Sequence, residues 1–268
     1  MRIGLTAIFI GLLIVTACAP SALPAASSFE GKLRILTEEY PPYNFVDKDM
    51  NIIGQSTEMV RMLAQKEGVD TSIEIVPLAD GLNLAQQSPN VAIYSINRTS
   101  QRENLFKWVG PIGHYEQAFY AKKGSTIKLG KLEDAKNAGL IGVYKGDAGN
   151  QFLQSQGFTN LNESQTDVQA LRKLINNEVQ LWLGNKDGLE ITAREAKVNP
   201  EDIVSISNVA IQADLYIAFN KNTPDGIIAA WQKALDSLMQ EKDSDGKTVY
   251  DKIHAKYSDP YYVQSLLK

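Results

Sequence analysis

The chain has 268 residues, of which 44% are hydrophobic and 22% are charged, a composition typical of a globular protein. This length allows one large domain or two small ones. The formal net charge of -4 and the isoelectric point of about 5.4, without a run of lysines or arginines, argue against nucleic acid as the main partner.

An apolar run from Ile3 to Val15 follows Arg2 and is too short to span a bilayer comfortably. It ends in Val-Thr-Ala-Cys at Cys18, which resembles a bacterial lipobox, and Cys18 is the only cysteine in the chain. We therefore predict a signal peptide and tether over residues 1–28, lipidation of Cys18, and a mature protein in the periplasm or another extracytoplasmic space. The alternative is an ordinary signal peptide cleaved near Ala25-Ala26, which discards Cys18.

Predicted strands and helices alternate in the first half of the mature chain. A strand over Leu33–Thr37 leads into a loop in which Pro41 and Pro42 forbid a helix or a central strand. Ser56 can cap the helix that follows, and Gly68 ends that helix. The next segments are a strand over 73–76, a short helix over 81–87 and a strand over 91–96.

The strand over 91–96 ends in a polar turn that we expect to form part of a binding site. Ser95, Asn97 and Thr99 offer hydroxyl and amide groups in this turn. Arg102, at the start of a predicted helix, offers a fork of donors suited to a carboxylate. Open α/β sheets bind small ligands at the carboxyl ends of their strands, so we predict that this turn is half of a small-molecule clamp. A surface turn with a solvated arginine is the alternative.

The second half repeats this pattern after a polar break at 122–126, which we interpret as a crossing between domains. Strands are predicted at 117–121, 140–144, 179–183, 203–209 and 214–219. Helices are predicted at 132–138 and 247–257. A third runs from the turn at 145–149 to Gln156, a fourth begins at Thr166, a fifth ends near Ala196, and a sixth begins near Pro224.

Two halves built from β–α repeats imply an α/β fold with two lobes. We predict that lobe 1 begins with residues 29–121, that lobe 2 spans 122–213, and that 214–268 returns to lobe 1. Two crossings, near Ala121 and Ala213, then form a hinge beside a cleft.

Six short motifs stand in order along the chain. They are Tyr40-Pro-Pro-Tyr43, Gly54, Thr99-Ser-Gln-Arg102, Trp108-Val-Gly-Pro111, Gly142-Val-Tyr-Lys-Gly146 and Tyr250-Asp-Lys-Ile253. In order and spacing they resemble the motifs of the bacterial extracellular solute-binding proteins of family 3, the amino-acid-type receptors of ABC importers. The resemblance extends from about Lys32 to Tyr257. It implies a two-lobe periplasmic-binding-protein-like fold of type II, with mixed sheets flanked by helices, a ligand cleft between the lobes and two hinge crossings.

The resemblance also implies roles for particular residues. In this family the arginine of the Thr-x-x-Arg motif grips the carboxylate of the ligand, a role that corresponds to Arg102. Asn97 and Ser95 are expected beside that carboxylate. Tyr40 is expected against the side chain of the ligand, with Glu38 or Glu39 close by. Packing beneath the loop is the alternative role of Tyr40.

Two positions depart from the pattern of amino-acid receptors. Asn185 stands where a carboxylate commonly pairs with the ammonium group of the ligand, and an amide cannot supply a full counter-charge. Asp147 stands where the family often has a small hydroxyl residue. It can repel a carboxylate, take over the ammonium group, or serve only as a helix N-cap that faces solvent.

The resemblance implies a monomeric binding protein that captures a small polar or carboxylate-bearing, amino-acid-like solute by lobe closure and delivers it to an ABC permease. We expect no catalytic residue and no cofactor. His114 and His254 lie far apart and Cys18 lies near the signal region, so we also expect no metal site. A ligand-sensing module for a signalling partner and a dehydratase-like enzyme on the same fold are the alternatives.

Overall fold

The structure is a computed structural model that describes residues 32–267, of which 207–210 and 260 are described by their backbone alone. The predicted signal peptide, its tether and Cys18 lie outside the described residues. The strands are β1 (Leu33–Thr37), β2 (Phe45–Val46), β3 (Ile52–Ile53), β4 (Thr71–Ile75), β5 (Val91–Asn97), β6 (Phe106–Lys122), β7 (Ile141–Tyr144), β8 (Leu161–Ser164), β9 (Leu181–Asn185) and β10 (Ile203–Asn220). The α-helices are α1 (Gln55–Lys66), α2 (Leu78–Gln87), α3 (Ala148–Ser155), α4 (Asp167–Ile175), α5 (Leu189–Glu195), α6 (Asp225–Gln240), α7 (Val249–Tyr257) and α8 (Pro260–Leu266), and short 3₁₀ helices span Leu132–Asn137 and Pro200–Asp202.

One mixed sheet contains most of these strands, in the order β4-β1-β5-β10-β6-β9-β7-β8, while β2 pairs with β3 apart from it. On one side of the sheet β1 runs parallel to β4 and β5, and on the other side β7 runs parallel to β8 and β9. The long strands β6 and β10 are antiparallel to each other; β6 is also antiparallel to β9, and β10 is also antiparallel to β5. They therefore join the two parallel parts of the sheet.

Each parallel part of the sheet has its own buried hydrophobic side chains. Those around β4, β1 and β5, together with α1, α2, α6, α7 and α8, include Phe45, Met59 and Trp231. Those around β9, β7 and β8, together with α3, α4 and α5, include Leu171 and Trp182. We call these two parts lobe 1 and lobe 2. The exact lobe boundaries given above stay predictions.

The two central strands are longer than the sequence pattern predicts. The predicted strand at 117–121 is the end of β6, and the predicted strands at 203–209 and 214–219 are parts of the single strand β10. The register of this pair runs from Ile203 opposite Lys122 to Asn220 opposite Phe106, with shifts within 205–210 and 215–217. These irregularities let one strand continue through residues that interrupt the alternating pattern.

Arg102 does not begin a helix, so that prediction was wrong. β5 ends at Asn97 and β6 begins at Phe106, and both run antiparallel to β10, so residues 98–105 alone carry the chain from the end of β5 to the start of a strand with the same direction. Tight turns make this connection: Arg102 N–H donates to Thr99 O at 2.9 Å, and Leu105 N–H donates to Arg102 O at 2.9 Å. The short connection leaves no room for a helix.

Trp231 on α6 belongs to the core of lobe 1, where its ring lies 5.2 Å from that of Phe219 and only 1% of the residue is exposed. We expect Trp231→Ala to lower the free energy of unfolding by about 3–5 kcal/mol, because loss of a large buried ring leaves a cavity. Trp108 is only partly buried and is the matched control, for which Trp108→Ala should cost about 1 kcal/mol. Denaturant titrations measure both values, and equal losses would contradict the greater role of Trp231 in the core.

Candidate functional site

A small cavity lies between the lobes, and most of the predicted binding residues line it. Its lining side chains belong to residues at or after the ends of β1, β5 and β7, and to β6 and α2. They are Glu38, Tyr40, Leu78, Ser95, Ile96, Asn97, Arg102, Tyr115 and Asp147. Of the residues that we expected at a ligand, Asn185 is not part of this lining.

Strand pairing explains why residues far apart in sequence meet at this cavity. β1 and β5 are parallel neighbours, so Glu38, after β1, and Asn97, at the end of β5, lie at the same edge of the sheet. Asp147 follows β7 and forms part of the facing wall in lobe 2. Ser95 has a φ of 62° within β5, a left-handed conformation that is uncommon for a residue with a side chain and is concentrated at functional sites.

Arg102 is only 5% exposed and connects the two walls of the cavity. Its Nη2 donates to the backbone oxygen of Gly146 in lobe 2 at 2.6 Å, and its Nη1 donates to the backbone oxygen of Asn97 at 3.3 Å. Burial lowers the pKa of the guanidinium, while nearby Glu38 and Asp147 act in the opposite direction. Because an arginine in a protein stays protonated, the cavity contains a fixed positive charge.

Asn97 uses its side chain inside the protein. Its Nδ2 donates to the backbone oxygen of Asp214 at 2.8 Å, and its Oδ1 accepts from the hydroxyl of Tyr115 at 2.9 Å. These bonds attach the end of β5 to β10 and β6. The amide therefore holds the turn that carries Arg102.

Of the two neighbouring glutamates, Glu38 faces the cavity and Glu39 is exposed. Burial raises the pKa of Glu38 to about 8; the hydroxyl of Tyr144 and the charge of Arg102 lower it, and the charge of Asp147 raises it. Near neutral pH this carboxyl group is therefore largely protonated. The Oε1 atom of Glu39 instead accepts from the backbone N–H of Val46 at 3.3 Å.

Asp147 is the N-cap of α3, as one of the alternatives predicted, but it does not face solvent. Its Oδ1 accepts from the backbone N–H of Asn150 at 2.6 Å, and its Oδ2 accepts from Nε2 of Gln117 at 2.7 Å. Burial raises the pKa of Asp147 to about 6, although both hydrogen bonds and Arg102 lower it. The solvent-facing expectation was wrong because closure of the lobes buries this helix terminus.

Three residues near the cavity were missed by the sequence analysis. Tyr115 and Gln117 lie two positions apart on β6 and hold Asn97 and Asp147 respectively. Asp167, the first residue of α4, is buried and accepts from Nε1 of Trp182 at 3.2 Å. Its pKa is raised well above the usual range, first by burial and then by the charge of Asp147. The two-residue spacing on β6 was the available signal, but the predicted strand began only at residue 117.

Asn185 connects the lobes outside the cavity lining. Its Nδ2 donates to the backbone oxygen of Pro41 in lobe 1 at 3.1 Å, and its Oδ1 accepts from the N–H of Asp187 at 3.2 Å. Beside it, the hydroxyl of Tyr43 donates to Oδ2 of Asp187 at 2.8 Å. The side-chain amide of Asn185, at the first of the two departures, thus bonds other groups of the protein.

A larger groove lies between α5 and the helices α7 and α8, but exposed side chains such as Lys186, Glu190 and Lys197 line it. The cavity around Arg102 is smaller, and buried polar groups converge on it. The buried polar groups that converge on it, and not its volume, make this cavity the candidate site. In residues 32–267, no group of three or more His, Cys, Asp or Glu side chains is arranged to hold a metal ion.

The sequence pattern of the bacterial extracellular solute-binding proteins, family 3, matches residues 33–260. Curated protein sequences give no match to the chain. Over the part of the chain that the structure describes, every helix is too short or too polar to cross a membrane.

Solved structures are similar to this chain over most of its length. A histidine kinase sensor domain with similarity to periplasmic binding proteins has a TM-score of 0.74 at 17% identity, covering 84% of this chain and 95% of that one. The arginine-, lysine-, histidine-binding protein ArtJ from Geobacillus stearothermophilus has a TM-score of 0.70 at 20% identity, covering 85% and 95%. An ancestral amino acid-binding protein, a precursor of cyclohexadienyl dehydratase, has a TM-score of 0.69 at 18% identity, covering 85% and 96%.

These comparisons confirm the family resemblance and the periplasmic-binding-protein-like fold with a large mixed sheet flanked by helices. The matching family is one of extracellular solute-binding proteins, and two of the three similar structures above are amino-acid-binding proteins.

We expect Asn185→Ala to favour separation of the lobes, because it removes the hydrogen bond to Pro41 O and costs the closed arrangement about 1–2 kcal/mol. Small-angle scattering should show a larger radius of gyration than for the unaltered protein. Asn176→Ala is the matched control, since that exposed amide bonds only Glu178 within lobe 2 among the described residues. Identical scattering from both variants would contradict a role of Asn185 in closure.

Proposed function

Because the chain belongs to the bacterial extracellular solute-binding proteins, family 3, we propose that it captures a small polar solute between its lobes and delivers it to an ABC importer. The observation that carries this proposal is the buried polar cavity, in which Arg102 of lobe 1 faces Asp147 of lobe 2. A ligand that contacts both walls stabilises the arrangement in which the walls are close. Capture is then a shift of population toward the closed form.

The protein groups that connect the lobes support this mechanism. Arg102 bonds Gly146 O, Asn185 bonds Pro41 O, and Tyr43 bonds Asp187, each across the boundary. Individually such bonds contribute about 1 kcal/mol, so closure by them alone is a small bias that ligand contacts can exceed. Release to a permease requires this reversibility.

We assign the ligand contacts to the residues that the resemblance indicated, with two changes. Arg102 binds a carboxylate where the solute has one, Ser95 lies beside it, and Tyr40 packs against the body of the solute. Asn97 acts by holding the turn, since its amide is already bonded on both sides. Asn185 acts through lobe closure.

The cellular setting belongs to the same proposal. The protein works as a monomer outside the cytoplasmic membrane and is anchored through a lipid on Cys18. Lobe 1 comprises residues 29–121 and 214–268, and lobe 2 comprises residues 122–213. It binds its solute without converting it. Amino acids, including the basic ones that ArtJ binds, are the first solutes to test.

A sensory role is the second candidate, because the similar structures include a histidine kinase sensor domain. The site is the same in both cases and only the membrane partner differs. Capture of the purified protein by a permease complex in vesicles, with solute uptake, supports transport. Recovery of unchanged solute after incubation separates both roles from a dehydratase-like enzyme.

We expect Arg102→Ala to weaken solute binding about 100-fold or more, because a buried charged donor is lost from the cavity. Isothermal titration with the tightest carboxylate-bearing ligand from a thermal-shift screen of amino acids, dicarboxylates and amines measures this. Arg98→Ala is the matched control, since Arg98 pairs with Glu103 on the surface. Circular dichroism checks that both variants fold. Unchanged affinity in the folded Arg102 variant would remove Arg102 from the site, and no binding by the unaltered protein would count against the function itself.

A further inference from the structure

Several nitrogen donors around the cavity already bond protein acceptors. Both terminal nitrogens of Arg102 donate to backbone oxygens, and the amide nitrogen of Asn97 donates to Asp214 O. The amide nitrogen of Asn185 donates to Pro41 O. These bonds reduce the number of N–H groups that remain for acceptors of a ligand.

The polar atoms of the lining that have no partner are oxygens. Among the described residues, Glu38 Oε2, Tyr40 OH and Ser95 Oγ are buried atoms with no hydrogen-bond partner, and all three side chains line the cavity. These residues are 6%, 6% and 3% exposed. Buried polar atoms are normally bonded, and each of these three oxygens can accept an N–H group of a ligand, while the two hydroxyls can also donate.

The charged groups around the cavity also favour a cationic ligand. The buried carboxyl groups of Glu38, Asp147 and Asp167 act on one another, and the buried guanidinium of Arg102 acts on Glu38 and Asp147. When ionised, the carboxylates outnumber the guanidinium. The rings of Tyr40 and Tyr115, 5.7 Å apart, also line the cavity and offer aromatic surface to a cation.

We propose that the solute is a net cation whose protonated amine or guanidine group binds between Glu38 of lobe 1 and Asp147 of lobe 2. Tyr40 OH and Ser95 Oγ supply further acceptors, and a carboxylate, where the solute has one, lies toward Arg102. This inference rests on the proposed function, because it names the ligand class of the same cavity. It assigns the counter-charge to the Glu38–Asp147 pair and leaves Asn185 to lobe closure.

The pair also explains why closure depends on the ligand. Closing the lobes brings two carboxyl groups together in a buried site, where the single charge of Arg102 cannot compensate both of them when they are ionised. Without solute, a proton on Glu38 relieves this repulsion. With solute bound, the cation relieves it. Binding of the cation therefore releases a proton to the buffer. The titratable groups facing the pair are Tyr40, Arg102, Tyr115, Tyr144 and Asp167.

Two matched ligand sets test the class of solute. The first is arginine, agmatine, which lacks the carboxylate, and citrulline, a neutral isostere of arginine. The second is lysine, cadaverine and norleucine. In isothermal titration we expect at least one cation of a set to bind tenfold or more tightly than its neutral member. Equal or tighter binding of citrulline, norleucine or glutamate overturns the cation site but leaves a solute-binding function, and no binding of any compound counts against both.

Variants and proton release test the location. With the tightest cation, we expect Glu38→Gln and Asp147→Asn each to weaken binding about 10- to 100-fold. Glu39→Gln, which removes the neighbouring exposed carboxylate, should change affinity less than about twofold. Titration at pH 7 in buffers of different ionisation enthalpy should show release of up to about one proton by the unaltered protein and clearly less by Glu38→Gln, since the pKa of Glu38 is about 8.

The affinity for a cation should increase with pH. As the pH rises from about 5.5 to 8.5, Asp147 and then Glu38 ionise, so affinity for a cation increases. Loss of affinity in Glu38→Gln with unchanged proton release would assign the proton to another group and overturn the role of Glu38. Unaltered affinity in both folded variants would overturn the site.

Discussion

The antiparallel pairing of β6 with β10 is the constraint on which both the fold and the cavity depend. These strands connect the two parallel parts of the sheet, and they also support both walls of the cavity. Tyr115 and Gln117 share one face of β6 because they are two residues apart, and they bond Asn97 of lobe 1 and Asp147 of lobe 2. A one-residue slip in register would turn these side chains away from both walls, so the cavity is specified by the strands beneath it.

The buried charges of the cavity are compensated unequally, and this inequality determines which group titrates. Arg102 has backbone oxygens as partners, and Asp147 accepts from the N–H of Asn150 and from Gln117. Glu38 is as deeply buried but has an oxygen without a partner among the described residues. Because ionisation of a buried carboxyl group is costly without hydrogen bonds or a counter-charge, Glu38 has the higher pKa of the two, about 8 against about 6.

Local sequence patterns were sufficient to predict the alternating elements and the polar turn that ends in Arg102, because open α/β sheets bind ligands at the carboxyl ends of their strands. The family resemblance, and not a local pattern, indicated Glu38, Tyr40 and Asp147. Local patterns failed where contacts between distant residues decide the structure. The partner of the Asn97 amide lies 117 positions away, and that of Asn185 lies 144 positions away, so neither side-chain role was visible in a local pattern. The helix predicted at Arg102 failed for a different reason, namely that the connection between β5 and β6 is too short. The lobe boundaries and ligand contacts remain predictions.

The two departures from the amino-acid pattern are physically related. An aspartate at position 185 would direct a carboxylate oxygen at the backbone oxygen of Pro41, so the amide there favours contact between the lobes. At position 147 a carboxylate instead accepts from the N–H of Asn150 in the first turn of α3, where the helix terminus stabilises negative charge. Gln117 can approach Asp147 because residue 149 is a glycine: a Cβ there would lie 2.1 Å from Gln117 Oε1. The position of the acid in lobe 2 therefore depends on Gly149, two residues along the same turn.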